Sequence, residues 1–239
     1  MLNDKYGIVE EDFLTAELEM VPAMKVTDIG FDRSLIGGYG HDDRVCAYPE
    51  LMAILELEEA PEHTAVAVFA DKEETGSDGN TGLQSSYLRY FIADLARLEG
   101  LMGRDALSKS KCLSADVNAA FDPTFPSPFE AANSAYINKG IVVTKYTGSG
   151  GKGGTSDASA EFVGEVTRIF TAADVCWQMG ELGAVDAGGG GTVAKYVAKL
   201  DVDVVDVGVP VLSMHAPYEV VSKLDVYMTN KAISAFYKA

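Results

Sequence analysis

The chain has 239 residues, of which 47% are hydrophobic and 23% charged, and it carries a formal net charge of −17. This composition is typical of a globular protein and excludes a disordered or fibrous chain. No basic patch offsets the 36 acidic side chains, so we expect no nucleic-acid partner. The first 20 residues lack the apolar core of a signal peptide, and no run approaches the roughly 18 residues that cross a bilayer. With three widely spaced cysteines, we expect a cytoplasmic protein that contacts no membrane.

The first elements mix strands and helices. Alternating apolar and polar positions in residues 1–40 predict one or two strands that lead into a glycine loop, IGGYGHDDR. Helical spacing follows over residues 45–60, and Pro61 closes that helix. The short apolar run TAVAVFA, residues 64–70, predicts an inner strand of a sheet that is covered on both faces. An amphipathic helix is predicted over residues 82–101.

The second half of the chain alternates strands with helices. Strands are predicted in four segments, KCLSADVNAAF, GIVVTKYT, VCWQMGEL and VDVVDVGVPVLSMH. Helices are predicted in ASAEFVGEVTRIFTAA, TVAKYVAKL and EVVSKLDVYMTNKAISAFYK, separated by two glycine loops and a proline-rich irregular stretch. This alternation predicts an α/β sandwich with a largely parallel sheet. Polar residues that follow its strands should gather in one crevice, where ligands bind.

Six polar residues follow the predicted strands and loops: Asp42, Asp43, Glu73, Glu74, Asp116 and His215. A set rich in oxygen with one nitrogen suits Zn²⁺ or a similar divalent ion. Asp42 is well placed to bridge two ions, and of two adjacent glutamates one can coordinate while its neighbour reaches a shared water. A second interpretation stays open at this point, because solvated carboxylates are common at strand ends and a single histidine is often structural.

Five motifs then narrow the choice. In chain order they are GYGHDDRVCAY, DKEETGSDGNTG, SADVNAAFDP, GGGGT and VGVPVLSMHAPYEVVSKLD. Together they resemble the C-terminal half of the aspartyl aminopeptidase (aminopeptidase I) family of cocatalytic zinc exopeptidases. The resemblance implies a three-layer sandwich with a mostly parallel mixed sheet of the zinc-exopeptidase type, incomplete at its N-terminal side. Residues 1–30 would be the end of an inserted dimerisation domain or lead-in strands, and residues 31–239 the C-terminal part of the catalytic domain.

The resemblance also implies a role for each candidate residue. Asp42 would bridge two zinc ions, for which manganese or cobalt could substitute, and Glu73 would be the general base. The other metal ligands would be Glu74, Asp116 and His215. The implied reaction is hydrolysis of the amide bond after an N-terminal acidic residue of a peptide, by a metal-bridged water. Asp43 and Arg44 would orient the bridging ligand.

An enzyme for acidic N-termini needs a cation in its specificity pocket. Lys145 and Lys152 are the candidates, and the resemblance favours Lys145, although either side chain could simply be solvated. By resemblance, Gly190 and Gly191 would line the substrate cleft. The loop GSGGKGGT does not indicate a nucleotide site, because the first glycine of a Walker pattern would fall at Tyr146.

The chain departs from the family pattern at one ligand. The family has a further histidine ligand in a His-x-Asp motif, upstream of the matched region. Besides His215 this chain has only His41 and His63, and neither is expected to replace that ligand. A sheet without its full set of strands exposes an edge, so we expect a homo-oligomer or a companion N-terminal half-chain as partner. The alternative function is a catalytically inactive fragment or assembly subunit that keeps the fold and a partial metal site.

Overall fold

The computed structural model describes residues 1–150, 153–184 and 186–239. The helices in these ranges are α1 Leu2–Tyr6, α2 Glu10–Leu14, α3 His41–Leu55, α4 Tyr87–Leu98, α5 Gly103–Leu107, α6 Ala160–Ala172, α7 Ala194–Ala198 and α8 Lys223–Tyr237. The strands are β1 Thr27–Ile29, β2 Leu35–Gly38, β3 Lys111–Ala115, β4 Asn118–Ala119, β5 Ile141–Thr144, β6 Tyr146–Ser149, β7 Gly153–Asp157, β8 Trp177–Met179, β9 Asp203–Gly208, β10 Pro210–Leu212 and β11 Glu219–Ser222. None of the described helices is long and apolar enough to cross a membrane.

The strands form two larger sheets and one hairpin. Five strands pair in the order β1-β2-β11-β10-β4, and only the β10–β4 pair is parallel. Four strands pair in the order β3-β9-β5-β8, with β9 parallel to β3 and antiparallel to β5. The sheets continue into each other, because the Asn118 N–H donates to the Val209 carbonyl oxygen at 2.9 Å. The four-stranded sheet is thus mixed with mostly parallel pairs, whereas short connections make the five-stranded sheet mainly antiparallel.

Side chains along β9 point alternately to the two faces of the sheet, and each face packs against different helices. Val205 and Val207 pack into the cluster that contains Phe162 of α6 and Ala232 of α8. Val204, on the opposite face, packs into another cluster with residues of α5 and α7, namely Leu107, Ala194 and Val197. A third cluster joins α3 to β10 and β11 through Cys46, Val211 and Val221. Helices therefore cover both faces of the sheet, and the predicted three-layer α/β sandwich is confirmed.

The apolar run at residues 64–70 is not a strand, so that prediction is wrong. Side chains hold its backbone instead: the Val68 N–H donates to Glu50 Oε1 at 3.2 Å, and the Tyr237 hydroxyl donates to the Val66 carbonyl oxygen at 3.3 Å. Val68 and Phe69 are 41% and 53% exposed. An apolar run becomes a strand only where a neighbouring backbone can pair with it, and no described strand lies beside this one.

The one or two strands predicted in residues 1–40 are confirmed as β1 and β2, which lead into the glycine loop, but the last helix begins later than predicted. The sequence predicts that the last helix begins at residue 219, but β11 occupies residues 219–222 and pairs with β2 and β10. Ser222 then caps α8 by accepting from the Leu224 N–H at 3.2 Å. At the other end, residues 11–26 contain part of α2 and no strand, because their side chains are mostly exposed and have no core to face. The domain boundary at residue 30 stays a prediction.

Candidate metal centre and active site

Asp42 and Asp43 lie at the junction of β2 and α3. Both residues have non-helical backbone angles inside the first turn, and the peptide bond between them is cis. Gly40, two positions before Asp42, has φ +75°, a backbone angle that glycine adopts at little cost. The chain therefore turns sharply after β2, at the point where the motif GYGHDD was predicted to supply a ligand.

Asp42, Glu74 and His215 form the first cluster of candidate ligands. His215 Nε2 lies 3.0 Å from Asp42 Oδ2 and 3.1 Å from Glu74 Oε1. The Asp42 side chain is 11% exposed, whereas His215 and Glu74 are 60% and 63% exposed. One nitrogen and two carboxylates that converge on one point from three separate loops form a donor set that a divalent ion could use.

Asp42, Asp43 and Asp116 form the second cluster. One carboxylate oxygen from each lies within 4.8 Å of the others, so Asp42 belongs to both clusters. Asp116 follows β3, and its N–H donates to the Val207 carbonyl oxygen at 3.0 Å. A Cβ at Gly208 would collide with the Asp116 carbonyl, so a glycine in the VGVP motif is what lets β9 pass this close. A carboxylate shared by two clusters is the arrangement that a bridging ligand requires.

Glu73 and Glu74 lie on a single turn of 3₁₀-helix, Glu73–Thr75. Two residues in the left-handed backbone conformation flank the turn, Lys72 with φ +63° and Gly76 with φ +92°. Two side chains from elsewhere bind the Gly76 carbonyl oxygen: Gln84 Nε2 at 2.8 Å and the Tyr196 hydroxyl at 3.2 Å. The turn that carries the two glutamates is thus anchored to the loop before α4 and to α7.

Glu219 was not assigned a role from the sequence, yet it ties the first cluster together. This side chain is 2% exposed on β11, and its Oε2 accepts from the Asp42 N–H at 3.1 Å. Its Oε1 accepts from the His215 N–H at 2.9 Å, which supports a residue whose φ is +64°. The available signal was its place four residues after His215, inside the longest of the recognised motifs.

The pKa values of several carboxyl groups in and beside the two clusters are raised, because these groups are buried close to one another. Burial raises the pKa of Asp43 to about 9, and the charge of Asp116 adds to the effect. Burial also raises the pKa of Asp116 to about 8, with the charges of Asp42 and Glu73 contributing. The pKa values of Asp42 and Glu73 are raised by burial and then by the charge of Glu74, while His215 opposes both shifts. Buried carboxylates without basic partners are costly, and a bound cation relieves that cost.

The donor set therefore fits the zinc that the family resemblance implies. Four carboxylates and one imidazole surround the junction, and one buried carboxylate oxygen, Asp43 Oδ1, has no hydrogen-bond partner. Neither His41 nor His63 joins the clusters found among the described residues. His41 is buried, and burial lowers its pKa while the charge of Glu219 opposes the shift. His63 is exposed.

The other candidates that the structure describes do not belong to the two clusters. Arg44 is exposed, and its Nη1 donates to the Gly40 carbonyl oxygen at 3.4 Å. Its role in orienting Asp42 stays a prediction. Lys145 Nζ lies 2.6 Å from Asp157 Oδ1, so a carboxylate of the chain already compensates its charge. Lys152 lies outside the described residues. Gly190 and Gly191 belong to the loop before α7, and a Cβ at Gly191 would lie 3.4 Å from Lys195 Nζ.

Comparison with known proteins gives a consistent result. The family model described as aminopeptidase I zinc metalloprotease (M18) matches residues 1–237. A relative named probable M18 family aminopeptidase 1, from Clostridium acetobutylicum, is 51% identical over 99% of this chain and 51% of its own length. The crystal structure of aminopeptidase I from that organism matches with 50% identity and a TM-score of 0.93, over 100% of this chain and 52% of the solved one.

A second solved structure extends the agreement. The M18 aminopeptidase from Thermotoga maritima matches with 41% identity and a TM-score of 0.94, over 100% of this chain and 54% of its own. The chain thus spans about half the length of these relatives. With nearly every residue matched by the family model, the chain belongs to the M18 family of aminopeptidase I zinc metalloproteases.

Proposed function

We propose that the chain is the metal-binding and catalytic part of an aminopeptidase that removes acidic residues from the N-termini of peptides. The observation that carries the proposal is Asp42, which belongs to both carboxylate clusters beside the glutamate pair. Asp42, Glu74 and His215 would hold one ion, and Asp42 and Asp116 the other. Membership of a zinc metalloprotease family supports the choice of metal. Bound zinc would polarise the scissile carbonyl and acidify a water molecule.

Glu73 would carry the proton transfers. It lies next to Glu74 on the same turn, and it is half-buried rather than solvated. Its pKa is raised by burial and by the charges of Glu74 and Asp42, which makes it a better base than an exposed glutamate. In this role Glu73 takes a proton from the attacking water and delivers it to the departing amine. Glu219 keeps the Asp42 and His215 backbones in place while this happens.

The second ion site has too few ligands in this chain if it contains only Asp42 and Asp116. Asp43 lies in the same cluster and can supply a third carboxylate oxygen. In the family resemblance the missing ligand is a histidine from the upstream half. We therefore propose that a companion half-chain or a further copy of this chain completes the site.

The test separates metal binding from turnover. Zinc or manganese is titrated into the wild-type chain and the Glu73→Gln variant, and hydrolysis of an N-terminal aspartyl anilide is then measured. The proposal expects equal metal binding in both, and turnover only with the wild type, in the assembly that completes the second ion site. The matched control is Glu62→Gln, which removes an exposed carboxylate outside the clusters. Equal turnover of wild type and Glu73→Gln would contradict the role of Glu73.

A second candidate function rests on the unpaired run at residues 64–70. Its backbone is held by side chains, and Val68 and Phe69 present apolar surface to solvent. Such an edge favours pairing with another polypeptide. A chain that binds metal and pairs through this edge, but has no turnover, would be an assembly subunit that keeps the fold and a partial metal site.

This candidate is tested by the assembly state. Sedimentation velocity would be compared for the wild type, for Val68→Lys and for Leu98→Lys, which places the same charge on the exposed end of α4. Assembly through the run predicts that only Val68→Lys dissociates the complex. Equal assembly in all three proteins would rule out this edge as the contact.

A further inference from the structure

The inference concerns cations beside the proposed active site, and it rests on the proposed peptidase function. The lysine favoured from the sequence, Lys145, is already paired with Asp157 at 2.6 Å. Lys195 differs, because none of the carboxylates in the described ranges forms an ion pair with its ammonium group. A half-buried ammonium without a carboxylate partner can accept one from a ligand at lower cost than a paired ammonium can.

Lys195 lies next to the glycine loop before α7 and to the hairpin strand β7. Its Nζ lies 3.4 Å from the position that a Cβ would take at Gly191 and 3.5 Å from that position at Gly154. Two glycines thus leave open space next to the ammonium group. The next residue, Tyr196, donates from its hydroxyl to the Gly76 carbonyl oxygen and so ties α7 to the turn that carries Glu73.

Lys195 lines a cavity that has a volume of about 760 Å³. Lys199 and Tyr196 line the same cavity, and both ammonium groups lie over the Tyr196 ring, at 4.9 and 5.4 Å from its centroid. Two carboxylates also line it, Asp157 and Asp203. Because Lys145 already compensates Asp157, two ammonium groups face one unpaired carboxylate. The cavity is therefore a locally cationic space on a chain of net charge −17.

We propose that Lys195, assisted by Lys199, binds a carboxylate of the peptide substrate in this cavity beside the glycine loop. Two parts of a peptide can supply that group: the side chain of the N-terminal residue, or an acidic group beyond the bond that is cleaved. The chemistry of recognition is the same in both cases, an ammonium–carboxylate ion pair close to backbone that carries no side chains. Lys195 is then a specificity-determining residue, and Lys145 a structural partner of Asp157.

The test is a calorimetric titration that measures the affinity of the zinc-loaded full chain for peptide probes. The probes are three blocked dipeptides, Asp-Ala-amide, Ala-Asp-amide and Ala-Asn-amide. Lys195→Gln should weaken the binding of one acidic probe by about tenfold or more and leave Ala-Asn-amide unchanged. Lys195→Arg should restore most of that affinity. Lys238→Gln, which removes an exposed lysine at the C-terminus, is the matched control and should bind like wild type.

The pattern of losses identifies the source of the carboxylate. A loss confined to Asp-Ala-amide assigns Lys195 to the N-terminal side chain, and a loss confined to Ala-Asp-amide assigns it to the leaving part. Equal affinity of wild type and Lys195→Gln for both acidic probes overturns the proposal, as does an equal loss in Lys238→Gln. Thermal unfolding of each variant checks that it is folded. Lys195-dependent binding without hydrolysis would keep this inference while the proposed catalytic function fails.

Discussion

The two carboxylate clusters share Asp42 but differ in everything else. The first cluster contains an imidazole within 3.1 Å of both carboxylates, and two of its three side chains are more than half exposed. The second cluster has three carboxylates, no basic group and little contact with solvent. In the first, water and His215 can offset part of the negative charge. In the second, protonation or a cation must do so, which is why the pKa values of Asp43 and Asp116 are raised to about 9 and about 8.

The two clusters would therefore depend differently on a bound metal ion. An exposed cluster with its own imidazole loses little when the ion leaves. A buried cluster of carboxylates is destabilised at neutral pH unless the ion is bound or a proton replaces it. Metal should therefore stabilise this fold mainly through the second cluster, although the first has the more complete ligand set.

The largest expected effect comes from removing the shared ligand. Asp42→Asn should weaken zinc binding at both clusters, and by more than about a hundredfold, since even residues that only support ligands cost up to about a hundredfold. Competition against a chromophoric zinc chelator measures both affinity and stoichiometry. Glu62→Gln is the control and should bind like wild type. One ion retained at unchanged affinity in Asp42→Asn would show that the clusters do not share this ligand.

The next largest effect is on the pH dependence of stability, which should come from the second cluster. Asp116 has a pKa raised to about 8 by burial and by the charge of Asp42, so the folded state prefers the protonated acid. Its stabilising contribution is complete below the unfolded pKa of about 3.9 and is lost as the pH rises to about 8. Without metal, Asp116→Asn should therefore be more stable than wild type at pH 8, by on the order of 5 kcal/mol.

Urea unfolding in the presence of a chelator, at pH 5 and pH 8, tests this expectation. At pH 5, about one unit above the unfolded pKa, the difference should be much smaller, about 1.5 kcal/mol. Added zinc should reverse the order at pH 8, because metal binding favours ionised carboxylates and Asp116→Asn lacks one. If the metal-free wild type and Asp116→Asn showed the same dependence on pH, the second cluster would not be the source of the instability.

A smaller effect on zinc affinity is expected when the residue removed supports the candidate ligands and is not one of them. Glu219→Ala would take away the acceptor for both the Asp42 and the His215 N–H groups, and zinc affinity should fall by about 10- to 100-fold. Glu219→Gln keeps one carbonyl oxygen and should fall less, because one of the two hydrogen bonds can form. Zinc competition measures both variants. Equal losses in the two variants would mean that Glu219 acts through its charge and not through these hydrogen bonds.

The residues of the two clusters were predictable as candidate ligands from the sequence, but the residue that supports them was not. Asp42, Glu74, Asp116 and His215 each follow a predicted strand or loop within a motif, so strand ends and family resemblance were enough to propose them, and the structure brings them together. Glu219 accepts hydrogen bonds from two backbone N–H groups. One belongs to Asp42, 177 positions earlier in the chain, and the other to His215, four positions earlier. No periodicity encodes such a contact. Lys195 lies in a predicted helix, and its place beside Gly154 depends on how the hairpin packs.

The fold shows the same division between local and long-range information. The alternation of strands and helices predicted the sandwich, because each element has its own apolar pattern. Residues 64–70 and 219–222 were assigned wrongly for opposite reasons. The first has the pattern of a strand without a partner among the described strands, and the second has partners, β2 and β10, that its own sequence does not reveal. Strand pairing is a property of two segments, and one segment alone predicts it poorly.

The smallest expected effect of zinc is at a buried carboxylate outside both clusters. Burial raises the pKa of Glu50 to about 7, while the hydrogen bond from the Val68 N–H opposes the shift. Its stabilising contribution is complete below pH 4 and is lost as the pH rises through 7, so Glu50→Gln should be more stable than wild type at pH 8 by about 3 kcal/mol. Zinc should not change this difference, because Glu50 belongs to neither cluster. Urea unfolding at pH 5 and 8, with and without zinc, measures it. A zinc-dependent difference at Glu50 would mean that metal stabilises buried carboxylates throughout the core, and the contrast between the two clusters would then lose its basis.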